Sequence, residues 1–130
     1  MFSGRTVHHG LRIAYLAPTF RNAVQAGMYM QIWDVRAPNE PLTTLLGHSY
    51  PVRKLAFSPH SETLLASASY DMTVRMWDIA APEDALLAVW DHHTEFVQGL
   101  DWDVLVEGML ASCSWDASVY TWHRTADPRA

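Results

Sequence analysis

Three stretches of this 130-residue chain repeat one another at a fixed spacing, and that period constrains the fold more than any other feature. Met28-Tyr29-Met30-Gln31-Ile32-Trp33-Asp34 aligns with Thr73-Val74-Arg75-Met76-Trp77-Asp78, and both align with Ser118-Val119-Tyr120-Thr121-Trp122-His123. Their tryptophans lie 44 and 45 residues apart. Gly47-His48 and His92-His93 are 45 residues apart, as are Tyr70-Asp71 and Trp115-Asp116. A unit this short cannot bury its apolar surface alone, so the period predicts an array in which neighbouring units stack and share a core.

Within the period the residues read as short strands separated by turns. Val52 to Phe57 is a first strand, closed by Ser58-Pro59, because proline has no N–H to give to a ladder. Leu64 to Ser69 is a second, and Asp71-Met72 turns the chain into a third, Thr73 to Asp78. Leu86 to Trp90 follows Pro82 as an outer strand, and Leu42 to Leu46 is the outer strand of the unit that carries Trp33. The next unit runs Val97 to Trp102, Met109 to Ser114 and Ser118 to His123. Leu64-Leu65-Ala66-Ser67-Ala68-Ser69 is nearly continuous in apolar and small residues, as a strand covered on both faces must be. Four strands per ~40–45 residues is the blade of a WD repeat. The expected class is therefore all-β, a WD-repeat β-propeller fragment of about three four-stranded blades. Residues 1–27 form a divergent or poorly ordered N-terminal segment and 28–46 the end of one blade. Residues 47–90 make a complete repeat, 91–123 a final repeat lacking its outer strand, and 124–130 a tail. An open arc leaves sheet edges uncovered, so the isolated chain is expected to be unstable as a monomer or to self-associate.

Composition narrows the partners. One cysteine, Cys113, allows no disulfide within the chain, which suits a reducing compartment. No apolar run approaches the ~20 residues of a spanning helix, so direct membrane insertion is not expected. The net charge of −5 is uneven: Arg5, Arg12 and Arg21 precede the first acid, and from Asp34 onward fourteen acids face six basic residues. That balance disfavours nucleic acid as a partner and suits either a basic ligand or a solvated acidic surface. The N-terminal stretch has the basic, serine- and threonine-bearing, acid-free composition of a transit peptide, but its helical period is loose and Pro18 interrupts it, so a divergent start is the preferred reading.

Gly47-His48, the strand ending in Ser67-Ala68-Ser69, Asp71 and Trp77-Asp78 resemble the WD-repeat family at the residues that define it. The resemblance implies two structural tetrads: His48, Ser67, Asp71 and Trp77, then His93, Ser112, Asp116 and Trp122. The chemistry suits that role, since an ionised carboxylate only accepts, an indole only donates, and His and Ser can stand between them doing both. A hydrolytic triad is disfavoured, because the set ends on an indole and no strained G-x-S-x-G elbow or glycine-rich oxyanion loop accompanies the serine. His8-His9 and His92-His93 are not expected to hold metal: adjacent histidines on a strand point to opposite faces, with no further ligand at the right spacing. Cys113 aligns with Ala68 and is expected to be a buried, inert strand residue. No catalytic, cofactor-binding or metal residues are expected, and no enzyme.

A more particular likeness lies in Leu45-Leu46-Gly47-His48-Ser49-Tyr50, in Ser67-Ala68-Ser69-Tyr70-Asp71-Met72-Thr73-Val74-Arg75, in His92-His93-Thr94-Glu95-Phe96 and in Cys113-Ser114-Trp115-Asp116. Across residues 32–123 these runs resemble the peroxin-7 family, cytosolic receptors for the type 2 peroxisomal targeting signal. Residues 1–27 and Trp122-His123 depart from the pattern. The resemblance implies part of a seven-bladed propeller that binds the targeting-signal peptide of cargo proteins, meets a co-receptor and docking peroxins, and cycles from the cytoplasm to the matrix side of the peroxisome. By register with WD propellers, the peptide-binding top face takes Pro51, Arg53 and Tyr70 from one blade and Glu95, Phe96, Gln98 and Trp115 from the next. Phe96 and Trp115 could instead pack between blades. The alternative function is a general WD-repeat scaffold, such as a ubiquitin-ligase substrate receptor or a chromatin-complex subunit.

Overall fold

The computed structural model describes residues 6–9, 12–16, 29–34, 36–37 and 39–124, the first two stretches as backbone only. Eleven strands among them make three antiparallel sheets. The first contains β1 (Thr6–His9), β2 (Arg12–Leu16), β3 (Met30–Asp34) and β4 (Thr43–Leu45). The second contains β5 (Val52–Phe57), β6 (Leu64–Ser69), β7 (Val74–Asp78) and β8 (Leu86–Trp90), with a 3-10 turn at Pro82–Asp84 before β8. The third contains β9 (Val97–Trp102), β10 (Met109–Ser114) and β11 (Val119–His123). Each sheet is a meander in chain order, as consecutive repeats of a propeller require. The proposed N-terminal division at residues 1–27 falls largely outside the described residues; its described parts, β1 and β2, pair with each other and with β3.

Strand alternation divides the core in two. On β6, Leu64, Ala66 and Ala68 face the third sheet, where with Val74, Met76 and Trp90 they meet Val97, Leu100, Trp102, Leu110 and Trp122. Leu65 points the other way and, with Val52, Leu55 and Trp77, meets Met30, Ile32 and Leu45 of the first sheet. All six residues of β6 are buried, so the strand lies between two neighbours rather than at a surface. The alanines and serines keep the sheets close, and Trp102 Nε1 donates across to the carbonyl of Ala56 at 2.9 Å.

Cys113 departs from expectation: it is exposed, whereas its counterpart Ala68 is fully buried. Ala68 is covered by the third sheet; no described residues cover the corresponding face of β10 and β11, where Val119 is 70% exposed although its counterpart Val74 is buried. His92 and His93 also differ from expectation, lying in the connection between β8 and β9 rather than on a strand.

Candidate functional site: two polar tetrads and an aromatic face

Two chains of hydrogen bonds hold the strand ends in place. In the second sheet Trp77 Nε1 donates to Ser67 Oγ at 2.8 Å, Ser67 Oγ meets His48 Nε2 at 2.7 Å, and His48 Nδ1 meets Asp71 Oδ2 at 2.8 Å. In the third sheet Trp122, Ser112, His93 and Asp116 repeat the pattern at 2.8, 2.8 and 2.9 Å. The carboxylate can only accept, so Nδ1–H donates to it, and with Nε2 unprotonated the serine hydroxyl that accepts from the indole donates to Nε2. A neutral imidazole satisfies every position. Ser67 and Ser112 are buried and already accept from an indole, so neither can reach a substrate carbonyl as a nucleophile.

The aspartates do more than close the chain. Asp71 accepts from the backbone N–H of Ser49 and Thr73 and from the Thr73 hydroxyl, tying the β6–β7 turn to the segment entering β5. Asp116 accepts from the N–H of Thr94 and Ser118 in the same way. Residues the sequence reading passed over are Ser69 and Ser114. Ser69 Oγ donates toward the carbonyls of Tyr50 and Pro51 and accepts from the Asp71 N–H; Ser114 Oγ donates to the Glu95 carbonyl and accepts from the Asp116 N–H. Their 45-residue spacing was the available signal.

Both turns put a side-chain-bearing residue in the left-handed region, Met72 at φ 71° and Ala117 at φ 65°. A Cβ is strained there and glycine is not. Ala117→Gly should therefore raise stability by up to ~1 kcal/mol, read as a higher thermal midpoint; a fall would show that the turn does not strain this residue.

Burial opposes charge on His48 and holds its pKa below the usual value despite the nearby Asp71 carboxylate. Burial also resists ionisation of Asp71, but hydrogen bonds from His48, Thr73 and Ser49 outweigh it and hold the carboxyl well below the ordinary range. The Asp116 carboxyl is lowered to about 2, as hydrogen bonds from Thr94, His93 and Ser118 overcome its desolvation. For all three groups the unfolded chain binds protons first as pH falls. Stability should drop below about pH 6.5, where unfolded His48 protonates and folded His48 resists. It should drop again below about 3.8, where the unfolded aspartates protonate, until the folded carboxyls titrate. Thermal midpoints at neutral pH and near pH 5 test the first step, and an equal or higher midpoint at the lower pH contradicts it.

The second repeat departs from Gly-His at His92-His93, and the structure shows the compensation. Gly47 has φ +154°, and a Cβ there would lie 2.7 Å from Arg75 Nη1 and 3.1 Å from Trp77 Cη2. In the next repeat Tyr120 replaces Arg75, and the His92 ring lies 4.8 Å from that of Trp122 and 5.8 Å from that of Tyr120. An arginine crossing a glycine is exchanged for a histidine packed on two aromatics.

Beside the tetrads, β5 and β9 each carry a bulge, at Arg53 and at Gln98. The two bulged residues occupy the same place in successive repeats, and Arg53 Nε donates to Gln98 Oε1 at 2.9 Å. Equivalent bonds from Tyr70 N to the Pro51 carbonyl and from Trp115 N to the Phe96 carbonyl fix the residues preceding the tetrad aspartates. Tyr70 stacks on Phe96 with ring centres 4.4 Å apart, and Phe96 lies 5.2 Å from Trp115. Phe96 and Tyr70 are half-buried against each other across two sheets, while Trp115 is 64% exposed. Pro51 and Glu95 are exposed at the edge. The result is a continuous aromatic face beside a polar Arg53–Gln98 pair, equipped to receive an apolar surface.

Comparison with known proteins follows the same frame. Residues 39–78, from the end of the first sheet through β7, match the family described as WD domain, G-beta repeat. The chain carries a WD repeat. The chain is 54% identical over 90 residues to "Peroxisome biogenesis protein 7" of Arabidopsis thaliana, covering 69% of this chain and 28% of the relative. It is 54% identical over 74 residues to "Peroxisomal targeting signal 2 receptor" of Dictyostelium discoideum, covering 57% and 23%. It is 46% identical over 84 residues to the protein of that name in Mus musculus, covering 65% and 26%. The chain thus spans about a quarter of the length of these curated relatives, and the likeness to them extends over that part.

Proposed function

We propose that this chain acts in a cytosolic cargo receptor, binding the type 2 peroxisomal targeting signal and delivering matrix proteins for import into peroxisomes. The carrying observation is the receptor name borne by the relatives that are 54% and 46% identical. The aromatic face supports it physically. A type 2 signal is taken to bind as an amphipathic helix with leucines on one side and an arginine on the other. Tyr70, Phe96 and Trp115 offer a seat for the leucines, and exposed Glu95, with Asp91 nearby in sequence, offers charge for the arginine. Arg53 and Gln98 would orient the peptide backbone. The role is binding, not catalysis, with a co-receptor and docking peroxins as further partners during cycling between cytoplasm and peroxisome.

A pull-down comparing a type 2 signal peptide with its scrambled sequence tests the reading. Retention of the signal alone is expected. Equal retention of both, or of neither, contradicts it and favours a WD-repeat scaffold for a different peptide.

A further inference from the structure

The two junctions between neighbouring sheets are filled differently. Between the second and third sheets, Trp90 at the end of β8 stacks on Trp122, with ring centres 5.5 Å apart and planes 18° from parallel. The residue in the same register one repeat earlier is Leu45, which packs toward Trp77 between the first and second sheets. Leucine cannot cover an indole as a second indole does. A cleft of about 320 Å³ lies at this junction.

Leu45 and Trp77, both buried, lie deep in the cleft, and exposed Leu46 and Leu86 form its apolar lips. Glu83 and Asp84 line it from the turn before β8, and both are exposed. Neither carboxylate forms an ion pair among the described residues. The cleft therefore combines an apolar interior with negative charge at one end that no described residue pairs. It draws on the outer parts of the first and second sheets, whereas the aromatic face draws on loops of the second and third.

We propose that this cleft is a second peptide-binding site, taking a short segment of a partner protein in which a bulky apolar side chain stands beside a lysine or arginine. The apolar side chain fills the space that Trp90 occupies at the next junction, and the cation pairs with Glu83 and Asp84. This site is independent of the signal-peptide reading.

The probe is a random heptapeptide library displayed on phage, panned against the full chain. Peptides pairing a large apolar residue with a neighbouring Lys or Arg should be enriched. Synthetic copies should bind roughly tenfold more weakly to Glu83→Lys/Asp84→Lys by fluorescence anisotropy, with weaker binding as salt rises. Leu45→Trp, which rebuilds the neighbouring junction, should abolish binding with circular dichroism unchanged; the charge-reversal pair keeps the test intact should that larger side chain perturb folding. Trp115→Ala should retain the interaction, which separates this site from the aromatic face. The proposal is overturned if no such composition is enriched or if selected peptides bind the charge-reversed chain as they bind the parent. It is also overturned if a second copy of the chain occupies the cleft, seen as dimerisation that Leu45→Trp removes.

Discussion

Ser67→Ala should lower stability by about 2–4 kcal/mol, because it leaves two buried groups, the Trp77 indole N–H and His48 Nε2, without their partner. Asp71→Ala should cost about 1–3 kcal/mol by releasing His48 Nδ1 and the turn at Thr73. The serine change is the more damaging although it removes one oxygen, because its partners are the more deeply enclosed. In thermal unfolding these losses correspond to midpoint shifts of roughly 4 °C or more per kcal/mol. His60→Ala, at an exposed residue outside both tetrads, should shift the midpoint little. Equal midpoints for Ser67→Ala, Asp71→Ala and the parent would show that the hydrogen-bonded chain does not hold the sheet.

The strands were legible because two local signals coincided. Continuous small and apolar residues in Leu64–Ser69 fixed the strand type there, while Pro59 and the Asp71-Met72 turn fixed the ends. The tetrad positions were legible because a repeat copies its spacing, and the structure joins the eight residues within hydrogen-bond reach. The exposure of Cys113 was not legible, since it depends on what lies against the sheet and Ala68 and Cys113 have the same local setting. Nor were the bulges at Arg53 and Gln98: an extra residue in a strand leaves no compositional mark, yet it is what turns those side chains toward each other. The 45-residue period puts Leu45 in register with Trp90, but only the packing on Trp77 and Trp122 reveals that the difference leaves a cleft.

The aromatic face makes the second large prediction. Trp115 is held by its backbone N–H on the Phe96 carbonyl and is mostly exposed, so truncating it removes apolar contact area without opening the core. A large aromatic that becomes buried on binding is typically worth ~2 kcal/mol or more when cut to alanine, a roughly thirtyfold loss of affinity. Phe96→Ala is a poorer probe, because Phe96 also joins the sheets through Tyr70. Glu95→Lys should weaken binding and flatten its salt dependence, through the lost attraction to the peptide's arginine.

The most direct test is fluorescence anisotropy of a labelled type 2 signal peptide against a complete propeller that includes this chain, as parent and as Trp115→Ala, with circular dichroism confirming that both are folded. Saturable binding to the parent and a roughly thirtyfold larger dissociation constant for the variant are expected. Equal affinity for the two folded proteins would contradict the proposed function of this face and place the cargo-binding surface away from Tyr70, Phe96 and Trp115.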